Sequence, residues 1–238
     1  MDTDESLYDI FWDNTKLDKL TMAKFANQIG SYQPEYKELT LEYPNKPVLL
    51  PQVNSKLNKI TKKRVSSRDF TNKIMTEKEL ALIFSSFYAY NGLEHRTYPS
   101  AGATYSLEIF CVTYNTAILN NQILYYDSEK RGLVATNNLA PSWEESKALL
   151  NFDCGISPNM LIIYAIFPSR VTDKYGDRGG RFALLEAGAA MQQLSLQIAE
   201  TNSLKGVALG GLLDDIWKSI LGLEDTDAQI AFGFLVGK

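Results

Sequence analysis

The sequence contains one histidine, His95, and two cysteines, Cys111 and Cys154, among 238 residues. A single histidine excludes a metal site built from several histidines. Two cysteines are too few for a disulfide framework, so we interpret them as free thiols in a reducing compartment. The sequence also lacks the Walker A, Gly-x-Gly-x-x-Gly and Gly-x-Ser-x-Gly patterns. These absences argue against ATP hydrolysis, a Rossmann dinucleotide site and a hydrolase serine.

Long apolar runs and excess positive charge are also missing. The longest apolar run, 160–167, is far shorter than the roughly 20 residues that cross a bilayer. The stretch 1–13 is acidic, whereas a secretory signal peptide begins with a basic region. The net charge of −4 provides no overall attraction for nucleic acid. We therefore expect a cytoplasmic protein that binds neither membranes nor nucleic acids.

The composition that is present is that of a folded globular protein. Hydrophobic residues make up 45% of the chain and charged residues 22%, which suffices for a core. Residues 1–59 form a distinct opening segment, with a helix predicted at 17–29 and proline-rich extended chain at 32–51. We place the main domain at residues 60–238 and interpret 1–59 as an N-terminal extension packed on it.

Helices and strands alternate along the main domain. Two capping boxes, Thr76 with Glu79 and Ser142 with Glu145, predict the starts of two helices. Hydrophobic periodicity predicts the other elements. The predicted strands are 107–114, 123–126, 133–136, 160–167 and 230–236, and the further helices are 181–200 and 214–221. Strands interrupted by helices in this way predict an α+β fold built in layers.

The helix predicted at 181–200 is apolar or small on most of its circumference. Leu184, Met191, Leu194 and Ile198 lie along one side, and Gly188 opens a run of small residues. A helix that is apolar all round is buried. In a chain of this size, we expect a second subunit to contribute to that burial.

One basic segment has the composition of a phosphate site. Arg64 and Arg68 flank Ser66 within the run 62–68. Guanidinium groups present a fork of donors that matches a phosphate. A solvated basic patch is the alternative, and a nucleic-acid patch lacks further basic surface to support it.

Two glycine-containing segments have room for a flat ligand. Small residues at 98–103 allow close approach of a ligand to the backbone, although an ordinary turn would use the same residues. The run 206–211 predicts a strand that ends in a glycine pair. These glycines either leave space for a cofactor or only terminate the strand.

The segment 170–181 contains three of the seven arginines together with the neighbours Lys174 and Tyr175. Nearby positive charge and burial make a lysine a better proton acceptor, so this pair is a candidate base. The alternative is a polar loop that leads into the long helix. His95 is interpreted as an exposed loop residue and Cys111 as inert packing in a strand.

Taken together, these segments resemble the nitroreductase superfamily of flavoproteins, and within it the SagB-type dehydrogenases, the azoline oxidases of peptide-modifying pathways. The opening segment around Trp12 is also similar to this subgroup, so the resemblance covers nearly the whole chain. The runs that carry it are Arg-Val-Ser-Ser-Arg-Asp-Phe at 64–70, Pro-Ser-Ala-Gly-Ala-Thr-Tyr at 99–105, Phe-Ala-Leu-Leu-Glu-Ala-Gly at 182–188, Gly-Gly-Leu-Leu-Asp-Asp at 210–215 and Leu-Val-Gly-Lys at 235–238.

The resemblance implies an FMN enzyme with a nitroreductase-like three-layer sandwich, a central mixed sheet and an intertwined homodimer that holds two flavins at its interface. It implies that Arg64, Ser66 and Arg68 hold the FMN phosphate and ribityl chain, assisted by Lys238. Two further sets are implied to contact the flavin ring: Ser100, Ala101 and Gly102 from the other subunit, and Leu209, Gly210 and Gly211 near N5.

The Lys174-Tyr175 pair is similar to a motif of azoline oxidases that general nitroreductases lack. It implies oxidation of peptide thiazolines or oxazolines to thiazoles or oxazoles, with Lys174 or Tyr175 as the base and a cyclodehydratase complex as a further partner. Trp12 and Ala189 stand where the subgroup often has histidine, and Ser106 where it often has proline, which leaves the substrate open. The alternatives are an NAD(P)H-dependent nitroreductase or flavin reductase, and a flavin-binding scaffold subunit.

Overall fold

The computed structural model describes residues 6–32, 48–90 and 95–238. Most of the proline-rich stretch predicted as extended chain, 33–47, lies outside the described residues. The helices are α1 (Leu7–Thr15), α2 (Lys19–Ser31), α3 (Lys56–Lys63), α4 (Glu77–Phe84), α5 (Trp143–Ala148), α6 (Ser169–Tyr175), α7 (Gly179–Glu200) and α8 (Asp214–Ile220). The strands are β1 (Ala89–Tyr90), β2 (His95–Arg96), β3 (Leu107–Thr113), β4 (Ile123–Asp127), β5 (Gly132–Ala135), β6 (Met160–Ile166), β7 (Lys205–Leu209) and β8 (Gln229–Gly237).

Six of these strands form one sheet in the order β5-β4-β3-β6-β8-β7, and β1 pairs with β2 separately. Every pair of these strands is antiparallel. The expectation of a mixed sheet is therefore wrong for the described part of the chain. Short connections join β3, β4 and β5, and a short connection permits only antiparallel pairing.

The central strand β6 is buried along its whole length, as its continuous apolar run predicts. Its residues alternate between the two faces of the sheet. Ile162 and Tyr164 belong to one hydrophobic cluster, whereas Leu161 and Ile163 belong to the other. The sheet thus separates two cores.

Helices cover both faces and complete the three-layer α+β sandwich. On one face, α4, α6 and α7 contribute apolar side chains such as Phe84, Val171 and Leu194. On the other face, Trp143 of α5 and Trp217 of α8 are buried against the sheet. Within the described ranges, no helix combines the length and apolar character that spanning a membrane requires.

The predicted elements can be compared with those observed. Both capping boxes are confirmed, since the side chains of Thr76 and Ser142 accept from the amides of Glu79 and Glu145. The predicted strands and the long helix appear within a few residues of their expected bounds. The polar-loop interpretation of 170–181 is wrong, because 169–175 form α6 and α7 begins at Gly179.

The N-terminal helix α1 was not predicted, although it packs directly on the domain. Tyr8 and Trp12 are buried in the first core cluster. The Tyr8 ring lies over Gly180 at the start of α7, where any Cβ would overlap the ring. Glycine at this position therefore allows α1 to lie close to α7.

Candidate active site

The basic segment predicted to bind phosphate lies at the end of α3. Arg64 caps that helix, and Arg64, Ser66 and Arg68 are all exposed. The segment is attached to the sheet, because the Ser67 amide donates to the Gly206 carbonyl of β7 at 2.9 Å. In the described part of the chain, neither arginine forms an ion pair, and the Arg68 guanidinium lies 5.7 Å from the centre of the Phe152 ring. These donors are available to an anion.

Lys238, the predicted assistant of this segment, already has a partner. Its Nζ lies 3.0 Å from Glu79 Oε1. Burial alone would raise the pKa of Glu79, but hydrogen bonds from Thr76 and Lys238 outweigh it and lower the pKa. The ionised carboxylate holds the Lys238 ammonium, so a phosphate would share this group with Glu79.

The small-residue segment forms a loop with an unusual backbone. Gly102, Ala103 and Tyr105 have φ values of +58°, +53° and +45°. The left-handed region is uncommon for residues with a side chain, and such conformations concentrate at functional sites. The Ser100 hydroxyl closes the loop, because it accepts from the Tyr105 amide at 2.9 Å. This loop precedes β3 directly.

Glu186 of α7 accepts several hydrogen bonds from this loop, and its side chain is almost completely buried. Oε2 accepts from the hydroxyls of Ser100 at 2.8 Å and Ser106 at 2.9 Å. The amides of Ser106 and Leu107 also donate to this carboxylate, at 3.2 and 3.4 Å. Sequence reasoning missed this role. The available indication was one carboxylate in an otherwise apolar buried stripe of a helix.

Arg96 adds a buried positive charge near the same loop. Burial lowers its pKa, but Tyr98, Glu108 and Glu186 outweigh this effect and raise it. The guanidinium donates to the Tyr98 hydroxyl at 2.9 Å and lies 4.5 Å from the centre of the Tyr105 ring. A charged Arg96 thus contacts residues at both ends of the loop, Tyr98 and Tyr105.

The two residues predicted to supply the general base contact the loop predicted to bind the flavin. Lys174 and Tyr175 lie at the end of α6, and Nζ of the exposed Lys174 donates to the Gly102 carbonyl at 3.2 Å. A Cβ at Gly102 would overlap both Lys174 Nζ and the Tyr175 hydroxyl. The Tyr175 ring packs edge-on against Phe182 with centroids 5.0 Å apart. Residues 72 positions apart in the sequence therefore form one cluster.

The three arginines near this pair divide into two groups. Arg170 is engaged by the Glu108 carboxylate and by the Tyr105 carbonyl at 3.0 Å. Arg178 and Arg181 instead line a cavity of about 500 Å³ beside α1, together with Phe11 and Leu184. Of these three arginines, Arg178 and Arg181 remain candidates to contact a substrate.

The glycine pair follows β7 at the other side of the sheet. Leu209 is buried at the end of the strand, whereas Gly210 is exposed and has open space where a side chain would lie. The Gly211 carbonyl accepts from the Asn151 amide at 2.7 Å, which fixes the turn. A flat ligand can approach the backbone at Gly210.

The residues predicted to form the flavin site fall into two groups. Within one copy of the chain, the two groups are separated in space. The phosphate segment and the glycine pair lie along β7, whereas the Gly102 loop and Lys174 lie beside β3. These strands are three positions apart in the sheet order, a separation of about 14 Å. Each group alone contains only part of the predicted flavin site.

Among the described residues, the two other candidates from the sequence, Cys111 and His95, do not form a second site of this kind. Burial raises the pKa of the Cys111 thiol in β3, which confirms that it is packing. His95 is exposed but lies in β2 rather than in a loop. Across the described ranges, no cluster of three or more His, Cys, Asp or Glu side chains could hold a metal ion.

Comparison with known proteins decides the family. The profile described as "Nitroreductase family" matches residues 61–238, which is most of the chain. The chain belongs to the nitroreductase family. MJ1384, a nitroreductase homologue of Methanocaldococcus jannaschii, is 30% identical over 181 residues, covering 75% of this chain and 90% of that protein.

Two further similarities concern proteins with more specific descriptions. The microcin B17-processing protein McbC of Escherichia coli is 26% identical over 209 residues, covering 85% of this chain and 73% of McbC. In the solved E. coli microcin synthetase McbBCD complex with truncated pro-MccB17 bound, one chain superposes with a TM-score of 0.64 at 18% identity, covering 94% and 95% of the two chains. The NADPH:FMN oxidoreductase of Vibrio harveyi has a TM-score of 0.51 at 18% identity, covering 77% and 68%. The two structures show that the fold of this nitroreductase-family protein is shared.

Proposed function

We propose that this nitroreductase-family protein is an FMN-dependent dehydrogenase that oxidises thiazolines or oxazolines in a peptide to thiazoles or oxazoles. The observation that carries the proposal is the contact of Lys174 with Gly102. It joins the pair similar to the azoline-oxidase motif to the loop similar to the flavin-binding loop. The similarity to McbC, a protein that processes microcin B17, supports a peptide as substrate.

The residues present fit FMN. Arg64 and Arg68 offer unpaired guanidinium donors to a phosphate, with the exposed Ser66 hydroxyl between them. The open space at Gly210 and the exposed backbone at Gly102 suit a flat ring. The chemistry that bound FMN supplies is acceptance of the hydride from ring carbon five of the azoline, with dioxygen as the final oxidant.

The chain's own residues move the proton. Aromatisation of an azoline removes one proton and one hydride, and the proton leaves ring carbon four beside the carbonyl. Lys174, or Tyr175 assisted by Lys174, takes this proton as the general base. Arg178 and Arg181 follow the pair along the chain and line the cavity beside α1, where they could bind carboxylate or carbonyl groups of the peptide.

A homodimer would unite the two separated groups of residues. On α7, Leu185 is 68% exposed and Leu184 38% exposed, and Gly188 has open space beside it. Such an apolar exposed helix face favours burial by a second copy. We propose that each flavin is held by the β7 side of one copy and by the Gly102 loop of the other, in the cytoplasm, with a cyclodehydratase as the source of the azoline.

The decisive experiment is mass spectrometry of a thiazoline-containing peptide incubated aerobically with the FMN-loaded protein. The proposal requires loss of two hydrogens per ring and formation of the thiazole absorbance. A peptide that carries unmodified cysteine is the control and should not change in mass. An unchanged thiazoline peptide in the presence of a flavin-loaded dimer would refute the proposed reaction.

An NAD(P)H-dependent nitroreductase or flavin reductase is the second candidate function. The similarity to MJ1384 and the fold shared with the NADPH:FMN oxidoreductase favour it. Anaerobic mixing with NADPH separates the two candidates, because a reductase bleaches the flavin absorbance rapidly whereas an azoline dehydrogenase requires the thiazoline peptide. A flavin that neither compound bleaches would instead indicate a scaffold subunit.

A further inference from the structure

A second pocket, of about 250 Å³, opens directly at Gly210. Its wall is formed by Phe11, Trp12, Phe25 and Leu184, with Asp214 at its edge. Three of these side chains are aromatic, and they come from α1 and α2. The pocket therefore joins the N-terminal helices to the glycine turn that the proposed function places at the flavin ring.

The N-terminal helices are held firmly beside this turn. The Leu17 amide donates to Asp214 Oδ2 at 2.6 Å, and the Asp214 amide donates to the Leu17 carbonyl at 3.1 Å. Lys16 forms an ion pair with Asp215 at 3.4 Å. Since this attachment reaches the first residues after the glycine pair, it fixes the aromatic wall relative to Gly210.

The aromatic residues of this wall lie outside the region that the family profile matches. The family profile begins at residue 61, whereas Phe11, Trp12 and Phe25 precede it. The rest of the predicted flavin site lies within the matched region. A pocket wall that comes from outside the region matched by the family profile, and borders the glycine turn, is well placed to select the substrate.

We propose that α1 and α2 form the substrate-recognition wall of the site, and that Phe11 and Trp12 contact the planar five-membered heterocycle of the peptide. The inference rests on the proposed function, since that function places the flavin ring at Gly210. Aromatic side chains bind flat rings through their faces and edges. The pocket is smaller than the 300–1,000 Å³ typical of sites for drug-sized ligands, so it accommodates one ring and its immediate neighbours.

The test compares two neighbouring side chains of α1. Phe11 is 50% exposed and lines the pocket, whereas Ile10 is 41% exposed and does not. Neither substitution by alanine removes a buried side chain, so both variants are expected to fold. Isothermal titration calorimetry measures the binding of a thiazole-containing peptide to each FMN-loaded variant, in which no turnover occurs because the ring is already oxidised.

The expected result is a Kd about ten times higher for Phe11→Ala. A tenfold change in Kd corresponds to about 1.4 kcal/mol, which is the size of one lost aromatic contact. Ile10→Ala should bind like the wild type, and FMN content should be equal in all three proteins. Equal affinity of the two variants, or no binding of the thiazole peptide to the wild type, would overturn the inference. Phe11-dependent binding without any oxidation of thiazoline peptides would instead support the wall and refute the proposed reaction.

Discussion

The Ser100 hydroxyl donates a hydrogen bond of 2.8 Å to Glu186 and accepts one of 2.9 Å from the Tyr105 amide. A hydroxyl has one hydrogen, so Ser100 has no donor left for a ligand. Its side chain therefore stabilises the conformation of the loop. The backbone of the loop and the Lys174-Tyr175 pair are the groups that this conformation leaves for contact with a flavin or a substrate.

Replacement of Glu186 by glutamine is expected to loosen this loop. The glutamine side chain would replace one carboxylate oxygen by an NH₂ group. This group would face the N–H and O–H donors of Ser100, Ser106 and Leu107, so at least one buried donor would lose its acceptor. A buried donor without an acceptor costs about 1–3 kcal/mol, so the free energy of unfolding in urea should fall by that amount. FMN content should fall as well.

The matched control is Glu200→Gln on the same helix. Glu200 is exposed, and its carboxylate accepts from the side-chain Nε2 of Gln197 at 3.1 Å. It should change stability by less than about 0.5 kcal/mol, as exposed substitutions usually do. If the Glu186 and Glu200 variants unfolded at the same urea concentration, the role assigned to the buried carboxylate would be wrong.

Loss of the two guanidinium groups tests the phosphate site. The double variant Arg64→Ala, Arg68→Ala should bind FMN with a Kd about 10²–10⁴ times higher, because two charge-assisted hydrogen bonds of about 1.5–3 kcal/mol each are lost. Fluorescence titration of the apoprotein with FMN measures the change. Lys62→Ala with Lys63→Ala removes the same charge from exposed neighbours in α3 and should leave the Kd within about threefold, the effect of screened surface charges.

The sequence predicted those elements in which one local pattern decides the structure. The apolar run of β6 and the capping boxes at Thr76 and Ser142 are examples, and each was confirmed. The helix α6 was not predicted, because Val171 is its one buried residue and its sequence therefore has almost no hydrophobic periodicity. The antiparallel character of the whole sheet depends on strand order, which no single segment encodes.

The candidate site shows the same division. Motif order indicated the Gly102 loop and Lys174, and the structure brings them into contact. The partners of buried charges could not be predicted, because Glu186 reaches the loop across 80 positions of sequence. The engagement of Lys238 by Glu79 likewise follows from the way β8 ends beside α4. Long-range pairings of this kind arise only when the fold is complete.

A mixing experiment tests whether the site is shared between two copies. The variant Lys174→Ala, Tyr175→Phe should keep FMN and lose azole formation by about 10²–10⁴-fold, the usual contribution of a general base. The variant Arg64→Ala, Arg68→Ala should lose activity through loss of FMN. Asp173→Asn, beside the pair in α6, is the control and should remain active.

When the two inactive proteins are unfolded and refolded together, half of the dimers are mixed. If β7 of one copy works with Lys174 of the other, one of the two sites in a mixed dimer carries no substitution, and about a quarter of the wild-type activity should return. If each site used only its own chain, every site in the mixture would carry a defect. Refolded mixtures without activity, but with intact dimers, would therefore contradict the shared site.

The pH dependence of stability should report the attachment of the N-terminal helices. Burial raises the pKa of Asp214 to about 6, against about 4 in an unfolded chain. The folded state thus binds more protons than the unfolded state between these values. Its stability should fall as the pH rises through this window, by about 3 kcal/mol at most, and should not change further from this group above pH 6.

Denaturant unfolding of the wild type and of Asp214→Asn at several pH values between 4 and 7 measures this effect. The asparagine side chain still accepts from the Leu17 amide but does not titrate, so its free energy of unfolding should lack the fall seen in the wild type. Asp215→Asn is the control, because Asp215 is exposed and its loss removes the ion pair to Lys16 and a smaller cause of the raised Asp214 pKa than burial. It should retain most of the wild-type fall in stability, because Asp214 is still buried and still titrates. Parallel pH profiles for the wild type and Asp214→Asn would show that Asp214 is not the group that titrates in this window.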